Sequence, residues 1–213
     1  MKKVLIGVLV IGVIYFSGCS SSKNNVEARM ATTKVSDKKT ADNALAYLND
    51  IIFEAMPNYF TNPEEMDNEF ILINAVNHAP YHEYKNQDEY QFYIKQEDID
   101  VESKLLFGIN KKLIHKNVSA YLYDSKEQVY KFSAFGVEDG YTSGLIQCTE
   151  DDNKVYMNVK IFIQADEYYE MDGKTNLGSN YETAVIKSKS PVRKVTLTKK
   201  DGGFYFTAFE EKP

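Results

Sequence analysis

Apolar residues recur at every third or fourth position between residues 41 and 107 and at every second position after residue 118. The first spacing is typical of helices with one buried face, and prolines and a glycine mark where those helices should end. An asparagine, a proline and two carboxylates in a row predict a capped helix start. The predicted helices are Ala41–Met56 ended by Pro57, a second from Asn62-Pro63-Glu64-Glu65 to Pro80, and Asp98–Phe107 ended by Gly108.

Alternating apolar and polar residues dominate after residue 118 and predict β-strands. The clearest alternation runs from Val155 to Ile163, and Asp201-Gly202-Gly203 is typical of a hairpin turn. The predicted strands are Tyr121–Tyr123, Gln128–Phe132, Gly144–Thr149, Val155–Ile163, Tyr181–Lys187, Arg193–Lys199 and Phe204–Phe209.

Helices that come first and antiparallel strands that follow indicate an α+β fold. We expect the helices to pack on one face of a curved antiparallel sheet of five to seven strands. A cystatin-like or nuclear-transport-factor-like roll, in which a curved sheet holds a long helix, fits this order by analogy. Such folds carry both enzymes and binding proteins, so the fold alone predicts no function.

The N-terminus has the layout of an export signal. Lys2 and Lys3 precede the apolar run Val4–Phe16, which is too short for a transmembrane helix, and small residues lead to Cys19. Phe16-Ser17-Gly18-Cys19 resembles the lipobox of bacterial lipoproteins, although Phe16 departs from the usual leucine. The resemblance implies cleavage before Cys19, a diacylglyceryl group on its thiol, and anchoring at the extracytoplasmic face of the cell membrane. The alternative is a secreted protein with a free Cys19.

The next segment is poor in large apolar residues, so it should not fold by itself. We therefore predict three parts of the chain: a signal peptide over residues 1–18, a lipidated Cys19 with a flexible tether over residues 19–40, and one globular domain over residues 41–213.

Charge and cysteine content exclude some function classes. The net charge of the chain is −6, and cleavage would remove Lys2 and Lys3, so the exported protein is acidic and nucleic-acid binding is disfavoured. If Cys19 is lipidated, Cys148 is the one remaining thiol. We expect Cys148 to be a small buried apolar residue rather than a reactive one.

No complete catalytic motif is present, and we predict no catalytic residue, resident metal or cofactor. The glycines of Gly140-Tyr141-Thr142-Ser143-Gly144 have the wrong spacing for a nucleophilic serine turn. His78 and His82 have the spacing of two zinc ligands on a helix, and Glu83 could be a third, but Pro80 interrupts that helix. The basic stretch Lys187–Lys200 could contact anionic lipid or wall polymers, or its lysines could protect a strand edge.

Tyrosine is unusually frequent, with 16 tyrosines and no tryptophan. Exposed tyrosines suit sugar, peptide and protein surfaces, although strands also favour aromatic residues for structural reasons. The candidate binding residues are Tyr81, Tyr84, Tyr90 and Tyr93, which we expect in a loop between elements.

The chain from Tyr93-Ile94 to Phe107-Gly108 and the tyrosine-rich strands after it resemble small uncharacterised lipoproteins of low-GC Gram-positive bacteria, which implies no activity. We expect a membrane-anchored lipoprotein whose domain binds a protein partner or a cell-envelope component without catalysis. One alternative is a hydrolase of wall or extracellular material, which would need a histidine in a cleft with carboxylates. Another is a small-molecule receptor with an aromatic pocket.

Overall fold

The computed structural model describes residues 33–84, 90–133 and 139–212. The predicted signal peptide and Cys19 lie outside these ranges. The helices are α1 (Lys38–Ile52), α2 (Asn68–His78), α3 (Gln96–Phe107) and α4 (Tyr181–Lys187). The strands are β1 (Lys34–Val35), β2 (His82–Glu83), β3 (Phe92–Lys95), β4 (Leu122–Asp124), β5 (Val129–Phe132), β6 (Gly140–Glu150), β7 (Lys154–Gln164), β8 (Tyr168–Tyr169), β9 (Asn176–Gly178), β10 (Arg193–Lys200) and β11 (Gly203–Glu211).

The described strands form two antiparallel sheets, so the α+β class is confirmed and the single sheet is wrong. The larger sheet has seven strands, with the order β1-β6-β7-β10-β11, and β8 and β9 continue from β7. The smaller sheet has the order β2-β3-β5-β4. β3 pairs with β5 through Phe92 and Phe132, so the strands on either side of α3 pair with each other instead of joining β6.

The larger sheet carries helices on both faces. α1 contacts β6 and β11, and α3 contacts β11. Val159 and Ile161 of β7 are buried in the main core with the residues of these helices, whereas the adjacent Phe162 is buried with Ala184 of α4. Because successive side chains of a strand point to opposite faces, α4 lies across the sheet from α1.

Residues 34–40, predicted to be tether, are part of the fold. β1 pairs with β6, and the Ser36 amide donates to the carbonyl of Cys148 over 3.2 Å. Asp37 caps α1 by accepting from the amide of Thr40 at 2.8 Å. Backbone pairing and a polar cap need no large apolar side chain, which is why the composition of the segment did not predict them.

Two helix boundaries differ from the prediction for local reasons. α1 ends at Ile52 rather than near Met56. The carbonyl of the next residue, Phe53, accepts a hydrogen bond from the amide of Tyr141 at 2.8 Å instead of one from within the helix. Residues Pro63–Glu65 form a separate 3₁₀ turn capped by Asn62, and Asp67 caps α2. Gly108 ends α3 in the left-handed conformation, as predicted.

The predicted strand Tyr181–Lys187 is a helix. Asn180 caps α4 by accepting from the amide of Thr183 at 2.9 Å, and Ala184 is fully buried. Over seven residues, alternation cannot distinguish a strand from a short helix that buries one small residue. None of the helices in the described ranges is long and apolar enough to cross a lipid bilayer.

Candidate functional site

Tyr81 lies on the inner side of the smaller sheet, apart from the other predicted binding tyrosines. Its ring is edge-on to Phe92 at 5.3 Å and to Phe132 at 6.2 Å between centroids. The buried Ile94 shares this face with Phe92, two residues away in β3. Tyr81 is still 62% exposed, so it borders the core without being enclosed by it.

The opposite face of the smaller sheet brings Tyr84 and Tyr93 together. Their ring centroids are 4.7 Å apart, and the His82 ring lies 5.1 Å from that of Tyr93. Tyr93 is the register partner of Lys131, and Lys131 is the partner of Leu122. We call this face, formed by His82, Tyr84, Tyr90, Tyr93, Leu122 and Lys131, the outer tyrosine face.

Tyr90 belongs to the outer tyrosine face because it borders a shallow hollow of about 440 Å³ together with Leu122 and Lys131. The predicted loop is therefore partly strand: β2 and β3 lie between Tyr81 and Lys95. Their pairing places Tyr84 beside Tyr93 and directs Tyr81 to the other side.

A compact ion cluster lies at the centre of the outer tyrosine face. Lys131 Nζ is 2.9 Å from Asp124 and 3.1 Å from Glu127. The hydrogen bond from Lys131 lowers the pKa of Asp124 to about 2. The hydroxyl oxygen of Tyr84 is buried without a hydrogen-bond partner in the described part of the chain, and burial raises its pKa.

A cleft of about 430 Å³ separates α1 from α2. We call it the α1–α2 cleft. From α1 it is lined by Ala46, Asn49, Asp50, Phe53 and Glu54, counting the residues just past the helix end, and from α2 by Asn74, Asn77 and His78. A histidine and two carboxylates meet in this concave surface, which is the arrangement expected of a hydrolase.

Both ring nitrogens of His78 are engaged in the α1–α2 cleft. Nε2 lies 2.8 Å from a carboxylate oxygen of Asp50, and Nδ1 lies 2.8 Å from the backbone carbonyl of Asn74. Because a carboxylate and a carbonyl can only accept, both bonds form when the imidazole carries two protons. Partial burial lowers the pKa of His78, but these hydrogen bonds and the charge of Asp50 outweigh it and raise the pKa.

The Asp50–His78 pair should make stability depend on pH. A raised histidine pKa stabilises the fold fully below the unfolded value of about 6.5, and the gain is lost as pH rises through the folded pKa. Asp50→Asn should therefore reduce the free energy of unfolding by about 0.5–1 kcal/mol at pH 5.5 and by less at pH 9. Urea unfolding at both pH values measures this, with Asp201→Asn in an exposed turn as the control. Equal losses at both pH values would contradict the pairing.

Two asparagines of the cleft are fixed through their side-chain carbonyls. Asn49 Oδ1 accepts from the amide of Ser143 at 2.7 Å and from its hydroxyl at 2.5 Å. Asn77 Oδ1 accepts from the hydroxyl of Tyr121 at 2.7 Å. Both arrangements leave the side-chain amide nitrogens for other acceptors.

The His115 side chain is buried, and both of its ring nitrogens have hydrogen-bond partners. Its Nδ1 lies 3.0 Å from the hydroxyl of Tyr130, and its Nε2 lies 3.2 Å from Asp100. Tyr130 is fully buried, and burial raises its pKa. These hydrogen bonds connect α3, the segment after it, and β5, and so stabilise the fold.

The two histidines considered for zinc have different partners. His78 pairs with Asp50, whereas His82 lies 4.0 Å from Asp98 and against the Tyr93 ring. Within the described ranges, no group of three or more histidine, cysteine or acidic side chains is placed to hold a metal ion. Cys148 is buried, as predicted, and burial raises the pKa of its thiol.

The basic residues of Lys187–Lys200 are dispersed. Lys199 binds Glu150 at 2.8 Å, Arg193 lies over the Tyr59 ring, and Lys200 lies over the Tyr205 ring. The prediction that these lysines protect a strand edge is wrong for β10, because β10 lies between β7 and β11 and is not an edge strand.

Most residues of the α1–α2 cleft were not predicted from the sequence as site residues. Asn74, Asn77 and His78 are three and four residues apart, so they share one face of a helix whose other residues are mostly apolar. Asn49 and Asp50 interrupt the apolar pattern of α1 in the same way. Polar residues on one face of an apolar helix were the available signal.

Comparison of the chain with models of known protein families, with curated proteins and with solved structures gave no match.

Proposed function

We propose that this protein is a lipoprotein of the bacterial cell envelope, anchored by lipid on Cys19 at the extracytoplasmic face of the membrane, and that its domain binds another protein through the outer tyrosine face. The anchor rests on the lipobox-like residues Phe16–Cys19 and the short apolar run before them. The binding role rests on the clustering of Tyr84 and Tyr93 on the sheet face that also carries the exposed Leu122, two strands away from Tyr93.

The chemistry of the outer tyrosine face suits a protein partner. Tyrosines contribute much of the binding energy of protein interfaces, because they combine a large apolar ring with a hydroxyl. Lys131 is already paired with Asp124 and Glu127, so the centre of the face is a satisfied ion cluster rather than a strong charge.

The proposal is tested by a photo-crosslinking amino acid placed at Leu122 in intact cells. Leu122 is 40% exposed on the outer tyrosine face, and Ile186 on α4 is 80% exposed and serves as the control position. We expect Leu122 to give a discrete protein adduct that Ile186 does not give. The adduct should be lost when Tyr84 and Tyr93 are both replaced by alanine in a variant that still unfolds cooperatively.

Equal adducts from both positions would refute binding at this face. So would an adduct at Leu122 that still forms when Tyr84 and Tyr93 are replaced by alanine. The alternative ligand, a wall component, has its own readout. The protein would then cosediment with purified cell-wall material, and this cosedimentation would be lost when Tyr84 and Tyr93 are replaced. That result would identify the wall, and not a protein, as the ligand of this face.

The hydrolase alternative is favoured by one observation, the meeting of His78 with Asp50 and Glu54 in the α1–α2 cleft. Against it, an imidazole that donates from both nitrogens has no free site to take a proton from a nucleophile. This geometry therefore disfavours His78 as a general base that activates a nucleophile. Hydrolysis of an added wall substrate by the purified protein, abolished by Asp50→Asn, would reverse this preference.

The packing of the aromatic rings argues against the alternative of a small-molecule receptor with an aromatic pocket. Phe92 and Phe132 pack against each other and against Tyr81, and Tyr130 is fully buried, so these rings contact one another instead of lining a cavity. The roll analogy stays part of the proposal. It is supported by the contacts of the long helix α1 with β6 and β11 of the larger sheet.

A further inference from the structure

The α1–α2 cleft has the properties of a second binding site, separate from the outer tyrosine face. We infer that this cleft binds a single saccharide unit through its hydroxyl groups. Its volume of about 430 Å³ is in the range of small-molecule sites. The inference does not depend on the proposed protein partner, because none of the cleft residues belongs to the outer tyrosine face.

The cleft offers hydrogen-bond donors and acceptors side by side. The side-chain nitrogens of Asn49 and Asn77 donate, because their carbonyl oxygens are already used. The carboxylates of Asp50 and Glu54 accept. A cation could satisfy only the carboxylates and an anion only the amides, whereas each sugar hydroxyl donates and accepts at once.

The side chains of Asn49, Asp50 and Asn77 are held in place before any ligand arrives. Asn49 is fixed by two hydrogen bonds from the fully buried Ser143, and Asp50 is fixed by its pair with His78. Asn77 is fixed by Tyr121. Preorganised groups lose little entropy on binding, which matters for a weakly binding ligand such as one sugar ring.

Phe53 supplies the apolar surface that a sugar ring also needs. The side chain is 37% exposed and lines the cleft. A Cβ atom at Gly140 would lie 2.2 Å from the ring, so the glycine allows the ring to rest against the start of β6. An aromatic ring held in this way can pack against the C–H face of a pyranose while the amides and carboxylates bind its hydroxyls.

Saturation-transfer NMR on the full chain tests the inference. The detergent must carry no sugar headgroup, and the probes are glucose, galactose, mannose and N-acetylglucosamine, with putrescine as a cationic comparison. Asn49→Asp keeps the acceptor for Ser143 but removes the free amide donor, and Glu54→Gln removes one carboxylate at constant size. Glu65→Gln makes the same charge change at an exposed residue outside the cleft and is the control.

We expect at least one of the four sugars to bind, and each cleft variant to weaken it by about tenfold, as the loss of one good hydrogen bond implies. Glu65→Gln and the double replacement of Tyr84 and Tyr93 should leave sugar binding unchanged. Thermal unfolding checks that each variant is folded. The inference is overturned if no sugar binds, if putrescine alone binds, or if the cleft variants bind the sugar as well as Glu65→Gln does.

Discussion

Replacement of Cys19 by alanine should move essentially all of the protein from the membrane fraction to the soluble fraction. Two acyl chains on one cysteine give stable membrane attachment, and without the thiol no diacylglyceryl group can be transferred. Cell fractionation and the intact mass of the purified protein measure the effect, and the mass should lose its lipid component.

Cys148→Ala is the matched control for the anchor, because it removes the other thiol of the chain from a buried position in β6. This variant should keep both the membrane location and the lipid mass. Unchanged membrane retention of Cys19→Ala would refute the lipid anchor. Release of both variants would indicate that membrane attachment depends on the folded domain instead.

The fold was predictable where one pattern extended over many residues. The alternation from Val155 to Ile163 is long enough to define β7, and Gly108 terminates α3 because glycine adopts the left-handed conformation without strain. The division into two sheets was not predictable, because it depends on β3 pairing with β5 across α3, and pairing between distant strands leaves no local signal. The prediction of a strand at Tyr181–Lys187 was wrong because the segment is too short for its pattern to distinguish a strand from a helix.

The candidate sites were predictable only in part. Tyrosine spacing identified the region from Tyr81 to Tyr93, but the face on which each ring lies follows from the register of β2 with β3. The α1–α2 cleft requires Asn49 and Asp50 to meet Asn74, Asn77 and His78, and only the packing of two helices brings them together. A sequence shows which residues share one face of a helix, but it does not show which other element that face contacts.

Replacement of Phe206 by alanine should give the largest loss of stability among the substitutions considered. The side chain is fully buried, and its ring lies 5.1 Å from Phe60, 6.2 Å from Phe70 and 6.1 Å from Phe209 between centroids. Removing a buried aromatic ring costs the transfer free energy of its atoms and leaves a cavity, so we expect the free energy of unfolding to fall by about 3–5 kcal/mol. Urea unfolding with two spectroscopic probes measures it.

The effect should be this large because the ring of Phe206 joins three parts of the chain. Phe60 precedes the 3₁₀ turn and pairs its backbone with Phe209 of β11, and Phe70 belongs to α2. Ile186→Ala, at an 80% exposed position, should change stability by less than about 0.5 kcal/mol. Phe206→Leu, which retains most of the volume, should fall between the two. If Phe206→Ala were as mild as Ile186→Ala, the turn and α2 would not depend on β11 for their packing.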